Sequence, residues 1–297
     1  MLIQSLKDRG LIAPPKWLPD NTHYLTEMGS VAYGVATDFS DIDLYGFCIP
    51  PKESVFPHLA GEIPGFGRHI QRFAQWEQHH IIDSSAGAGK GKEYDFTVFS
   101  IVKYFQLCMD NNPNMIDSLF APHDCVRHVT KIGQLVRDSR KLFLHKGSWH
   151  KFRGYAFAQL SKMSGKSKES KRYEMVEKYG YDLKFAYHTI RLICEVEQIL
   201  TVGDIDLRRD SELLKSIRRG EWSEEQVRNW FTTKERDLEP LYTSSETVPY
   251  KPDEQAIKSL LLNCLEDHYG SLSNIIVSKD RYETALRDIG DILGKAL

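Results

Sequence analysis

Two aspartates one residue apart, Asp41 and Asp43, follow a Gly29-Ser30 pair, the first of them eleven residues after the serine. They open a run, Leu44 to Ile49, whose composition reads as a strand. Side chains on a strand repeat every two residues, so both carboxylates point to one face. Such a pair suits a divalent cation. Mg²⁺ takes hard oxygen ligands and shares its coordination among one or two carboxylates, water and substrate phosphates. The sequence leaves the choice between Mg²⁺ and Mn²⁺ open. Gly29 allows a triphosphate close to the backbone, and Ser30 adds a hydroxyl to the amide donors of a turn or helix start. The combination points to metal-assisted nucleotidyl transfer, although either fragment alone is an ordinary turn or strand end.

In order and spacing these residues resemble the signature of the DNA polymerase β-like nucleotidyltransferase superfamily: Gly-Ser, a spacer, then Asp-x-Asp at the start of a strand. The longer pattern is Gly29-Ser-Val-Ala-Tyr-Gly34, then Ser40-Asp-Ile-Asp-Leu-Tyr-Gly46 and the Pro50-Pro51 pair. It resembles the RNA-repair-pathway branch of that superfamily, a resemblance that covers roughly residues 24 to 240. The implied fold is α+β: a nucleotidyltransferase core with a small mixed sheet flanked by helices, plus an all-helical C-terminal region. The implied reaction is attack of an acceptor hydroxyl on the α-phosphorus of an NTP, with release of pyrophosphate.

The resemblance also implies a third carboxylate on the strand after the Asp-x-Asp hairpin. Asp95 is the candidate. Glu93 shares its face and is the rival, and capping of a helix starting near Thr97 is the structural alternative. The expected role is to ligate a metal or to accept the proton of the attacking hydroxyl. Asp117 reads as structural.

A second charged constellation lies on the helix Tyr181 to Leu200. Lys184, His188 and Arg191 stand at i, i+4 and i+7 and project from one face. Three stacked cations repel one another, so a bound triphosphate would explain them. Pairing with carboxylates of neighbouring helices is the other explanation. Arg191 has the shape for bidentate phosphate contact and Lys184 acts as a point charge. His188 would bind beside them or hold one of them in place. The segment resembles the same branch, as does Ile217-Arg-Arg-Gly-Glu221.

Between helices, Ser161 to Arg172 holds five basic residues, Lys162, Lys166, Lys168, Lys171 and Arg172, against one acid. It is the densest positive cluster in the chain, a candidate contact for RNA or a solvated loop. The run Ser84 to Lys92 looks like a phosphate loop but lacks its first glycine and its terminal hydroxyl residue, so it reads as a surface hairpin. His79 and His80 are adjacent, and adjacent residues on a strand or helix face different ways, which speaks against a shared metal.

The elements that must position these groups follow from the apolar pattern. A short helix over Ile3 to Arg9 precedes a strand over Tyr24 to Met28, and a short helix over Val31 to Val35 follows the Gly-Ser turn. Asp38 to Ser40 turns into the strand Asp41 to Ile49, which Pro50-Pro51 stops. Gln71 to Ile82 reads as an added strand pair and Glu93 to Phe99 as a strand running into a helix that Pro113 ends. Beyond Pro122, helices are expected over 129–144, 150–163, 181–200, 211–219, 223–238, 253–269 and 281–293. The expected division is a catalytic core over 1–125 and a helical domain over 126–297.

With 297 residues, 41% hydrophobic and 27% charged, the composition is that of a globular protein able to bury a large core. The net charge of −2 gives no global drive toward nucleic acid, so any such contact needs a local patch. No apolar run approaches the roughly 20 residues of a membrane span. The five widely spaced cysteines read as reduced, buried thiols, and a cytoplasmic setting is expected. The acceptor expected from the resemblance is an RNA 3′ end, in particular that of a tRNA under repair. Nucleotidylation of a protein side chain or of a small hydroxylated molecule is the rival, and a nucleotide-binding protein without turnover is the non-enzymatic alternative.

Overall fold

The computed structural model describes residues 1–36, 41–55, 63, 72–87, 91–164, 173–270, 286, 289–290 and 292–293. Its centre is a mixed five-stranded sheet of order β3-β4-β2-β1-β5. The strands are β1 (Thr22–Glu27), β2 (Ile42–Cys48), β3 (Gln75–Asp83), β4 (Lys92–Ser100) and β5 (Val126–Val129). β2 and β4 run parallel, and the other three pairings are antiparallel.

Alternation along β2 and β4 gives the sheet two different faces. Leu44, Phe96 and Val98 pack with the N-terminal helix α1 (Leu2–Asp8), through Ile3 and Leu6, and with Leu18 of α2 (Leu18–Asn21). Tyr45, Phe47 and Phe99 belong to the larger core on the other side. After the short α3 (Lys52–Val55) and the β3-β4 hairpin, that core takes in α4 (Ile101–Met109) and α5 (Pro113–Leu119). Serine and asparagine caps start these two helices: Ser100 accepts from the amide of Lys103, and Asn112 from that of Asn114.

The remaining helices are α6 (Lys131–Asp138), α7 (Ser148–Lys162), α8 (Tyr173–Tyr179), α9 (Leu183–Val202), α10 (Ser211–Arg218), α11 (Glu224–Ser244) and α12 (Glu254–Tyr269). α9 is the axis of this part. Asp182 caps it by accepting from the amides of Lys184 and Phe185, and Gly203 ends it in the left-handed region. Its residues Ile190, Ile193 and Val196 are fully buried in the same core as Phe47 and Tyr104. Sheet and helices therefore share one hydrophobic interior. All five cysteines are buried free thiols. Among the described residues, no helix is long and apolar enough to cross a membrane.

Four local expectations change. The chain returns to the sheet after residue 125, where β5 pairs with β1, so the stretch expected as one helix over 129–144 is a strand end, α6 and a 3-10 turn. Residues 31–35 form turns rather than a helix. Gln75–Asp83 is one strand and not a strand pair. α11 continues through Pro240 to Ser244, because proline loses one intrahelical bond and the rest of the turn holds. The 38–40 turn and most of the helix expected over 281–293 lie outside the described residues.

Candidate active site

β1 ends at Glu27, and the chain turns at Gly29, whose φ of +67° is a left-handed conformation open to glycine at little cost. Across the turn the amide of Met28 donates to the carbonyl of Asp43 at 2.7 Å, tying the turn to the head of β2. The Cα of Gly29 then lies so close to Asp43 that an added β-carbon would collide with the carboxylate. A carboxylate and a bare backbone turn thus share one small space.

Asp41 stands just before β2 and Asp43 within it. In the parallel β2-β4 pair, Asp43 is the direct partner of Asp95, so these two carboxylates lie side by side on neighbouring strands. Asp95 is in mid-strand, and the cap of the following helix is Ser100. Glu93 lies one step down the same face and pairs with His80. Burial raises the pKa of Asp43, the nearby Lys184 opposes this, and Asp95 and Asp41 push it further up. Three acids held against their mutual repulsion are what a bound divalent cation would stabilise. The donor set therefore fits a hard metal ion.

Opposite the carboxylates, α8, α9 and α10 close a cavity of about 350 Å³. Gly29, Ser30, Asp41 and Asp43 form one wall, and Met175, Leu183, Lys184, Tyr187, His188 and Arg218 form the other. The size lies within the range of small-molecule sites. The Tyr187 and His188 rings lie 4.2 Å apart at 30°, and the Arg218 guanidinium is 5.4 Å from the Tyr187 ring centre. Cations, acids, a glycine turn and flat apolar surface meet in one place, a set suited to a metal-bound nucleotide.

Arg191 is not part of that wall. It is 4% exposed, is paired with Asp117 and bonds to Glu195 at 2.9 Å. Its guanidinium also lies 4.2 Å from the centre of the Tyr33 ring, whose hydroxyl donates to Asp117 at 2.8 Å. The expectation that Arg191 grips phosphate gives way to the alternative of pairing with neighbouring carboxylates. The position one turn beyond His188 is already under the surface, where a cation must be neutralised internally. Asp117, read as structural from the sequence, is buried in its ion pair with Arg191.

The helical part holds the Gly-Ser loop at three points. Arg191 stacks on Tyr33, Arg208 donates to the carbonyl of Val31 at 3.3 Å, and Arg218 donates to that of Val35 at 2.6 Å. Arg208 and Arg218 are far from the loop in sequence. Arg218 lies in the segment Ile217 to Glu221, where the sequence singles out no residue, and Tyr187 stands between the two cations Lys184 and His188, where spacing marks only its neighbours. The tail of the Ser161–Arg172 cluster, Lys166, Lys168, Lys171 and Arg172, lies outside the described residues. Lys162 ends α7 with its side chain exposed.

The family model described as RNA repair pathway DNA polymerase beta family (RlaP) matches residues 18–243. That span contains every residue of the cavity wall and all five strands. No curated protein matches the chain.

Proposed function

The chain belongs to the RNA repair pathway DNA polymerase beta family, and from that premise we propose that it transfers a nucleoside monophosphate from an NTP to an acceptor hydroxyl, releasing pyrophosphate. The observation that carries this reading is the convergence of Asp41, Asp43, Gly29 and Ser30 with Lys184 and His188 on one cavity.

Asp41, Asp43 and Asp95 would hold the divalent cations, Mg²⁺ or Mn²⁺. Bound there, such ions would neutralise triphosphate charge and lower the pKa of the attacking hydroxyl. The protein's own share is placement. Gly29 and Ser30 receive the β- and γ-phosphates, and Lys184 balances their charge as a mobile point cation. Tyr187 and Met175 offer flat and flexible apolar surface to the base. Arg218 keeps the loop closed by holding Val35 and lies over the Tyr187 ring.

The acceptor we propose is the 3′ end of an RNA such as a damaged tRNA, in keeping with the family. Lys162 and the basic residues up to Arg172 would meet its backbone, with binding that weakens as salt rises. The test is incubation with each NTP labelled at the α-phosphate, Mg²⁺ and either total RNA or protein extract. Label should enter RNA, and should fail to do so with Asp43→Asn. Label in protein would move the acceptor to a side chain, and no label in either pool would leave a nucleotide-binding protein without turnover.

A further inference from the structure

His79 and His80 do not face opposite ways as neighbours on a regular strand would. Between β3 and β4 the register runs Gln78 to Phe96 and then Ile81 to Tyr94, so two residues, His79 and His80, stand against the single residue Asp95. This is a β-bulge, which re-aims side chains and is common beside active sites. His80 has φ +56°, an uncommon conformation for a residue with a β-carbon. Its amide donates to Asp95 Oδ1 at 2.7 Å, and its Nδ1 lies 2.7 Å from Glu93 Oε1. The ring of His79 also turns to this side, with Nδ1 3.6 Å from Asp95 Oδ1.

Single ligand atoms of His80, Glu93 and Asp95 all lie within 4.8 Å of one another. Four-coordinate ligands at about 2.0–2.1 Å from an ion are roughly 3.3 Å apart, so the three groups would close by about 1.5 Å at most around one. Glu93 and Asp95 alternate onto one face of β4, and the bulge brings an imidazole over them from β3. The His80 side chain is 81% exposed, so the three groups sit at the solvent edge of the sheet, where an ion could also take water or a substrate oxygen as ligands. One nitrogen and two carboxylates with open positions suit Zn²⁺, Mn²⁺ or Co²⁺. Mg²⁺ prefers oxygen ligands throughout and gains little from the imidazole.

We propose that His80, Glu93 and Asp95 form a transition-metal site adjoining the Asp41–Asp43 pair and sharing Asp95 with it. The consequence is a bias in metal choice at the edge of the cavity: the imidazole favours Mn²⁺ or Zn²⁺ over the far more abundant Mg²⁺. The site goes beyond the nucleotidyl-transfer reading and is tested without nucleotide, so failure of either leaves the other standing.

The experiment is calorimetric titration of the full chain with ZnCl₂ and with MnCl₂, in excess Mg²⁺ and without NTP. The wild type should bind one ion under these conditions, and Asp41→Asn should bind it as well. His80→Gly removes the ligand while placing at φ +56° the residue that best accepts it, so the fold is not at risk. Its affinity for Zn²⁺ and Mn²⁺ should fall by about tenfold or more, and Glu93→Gln, which leaves the bulge alone, should repeat the loss. Unchanged affinity in either variant, or full displacement of the ion by Mg²⁺ from the wild type, would overturn the assignment.

Discussion

Gly29 abuts the carboxylate of Asp43, and the amide of the preceding residue, Met28, donates to the Asp43 carbonyl. The turn proposed to admit a phosphate and the acid proposed to hold a metal are therefore one mechanical unit. Gly29→Ala adds a β-carbon at a left-handed φ, where an L residue costs about 1 kcal/mol, and drives Asp43 aside. NTP turnover should fall on the order of 10²-fold, the scale of a displaced catalytic group, while the thermal transition drops by only a few degrees.

Asp43→Asn isolates charge from shape. The amide fills the same volume and removes a charge whose burial, with repulsion from Asp95 and Asp41 added, raises the acid's pKa. Transfer should fall by about 10³-fold or more while urea denaturation shows stability unchanged or slightly raised. Turnover at the wild-type rate would remove the mechanism.

Arg191→Met leaves Asp117 and Glu195 buried without their cation. Such a loss costs roughly 3–5 kcal/mol, visible as a large drop in denaturation midpoint. A residue gripping phosphate at a surface would instead raise KM and leave stability alone.

Lys184→Ala should do the latter. Its side chain is exposed on the cavity wall, so the melt should stay within about 0.5 kcal/mol of wild type. KM for NTP should rise about tenfold, the equivalent of roughly 1.4 kcal/mol of lost charge-assisted contact.

A separate histidine pair contributes to the acid sensitivity of the fold. His23 Nδ1 lies 2.8 Å from Thr130 Oγ1 and its Nε2 lies 3.0 Å from His268 Nδ1. Burial, with His268 and His128 nearby, lowers the pKa of His23 to about 4. Between that value and the unfolded value near 6.5 the unfolded chain binds a proton that the native state refuses, so stability rises with pH across this window. Acidification from pH 7 to pH 4 should cost ~3 kcal/mol through His23. Urea midpoints measured over that range should fall steeply for wild type and less steeply for His23→Asn.

The site was legible where its chemistry is local. Asp41 and Asp43 share a face because a strand alternates, and Gly29 is glycine because the turn is left-handed there. The helices starting at Ser223 and Asp253 follow from apolar spacing, and the structure adds that both residues cap them. Asp95 was a candidate through the family resemblance, which implies a third carboxylate on the next strand, and Glu93 on the same face stayed its rival. β5 was missed because four residues carry too little period to be told from a helix start. The His79–His80 bulge was missed because an extra residue in a strand leaves no trace in alternation, and the strand rule then assigns the two rings to opposite sides.

Local pattern alone thus determined the paired acids Asp41 and Asp43, the glycine turn, most of the helices and the mixed α and β character of the chain, because those depend on spacing within a few residues. Depth was decided only by the tertiary structure. Lys184, His188 and Arg191 share one stripe of α9, yet the first two reach the cavity and the third is sunk between Asp117 and Glu195. Helical periodicity gives the direction in which a side chain points, whereas what it meets there is set by the packing of residues that lie 70 or more positions away in the chain, as Asp117 does from Arg191.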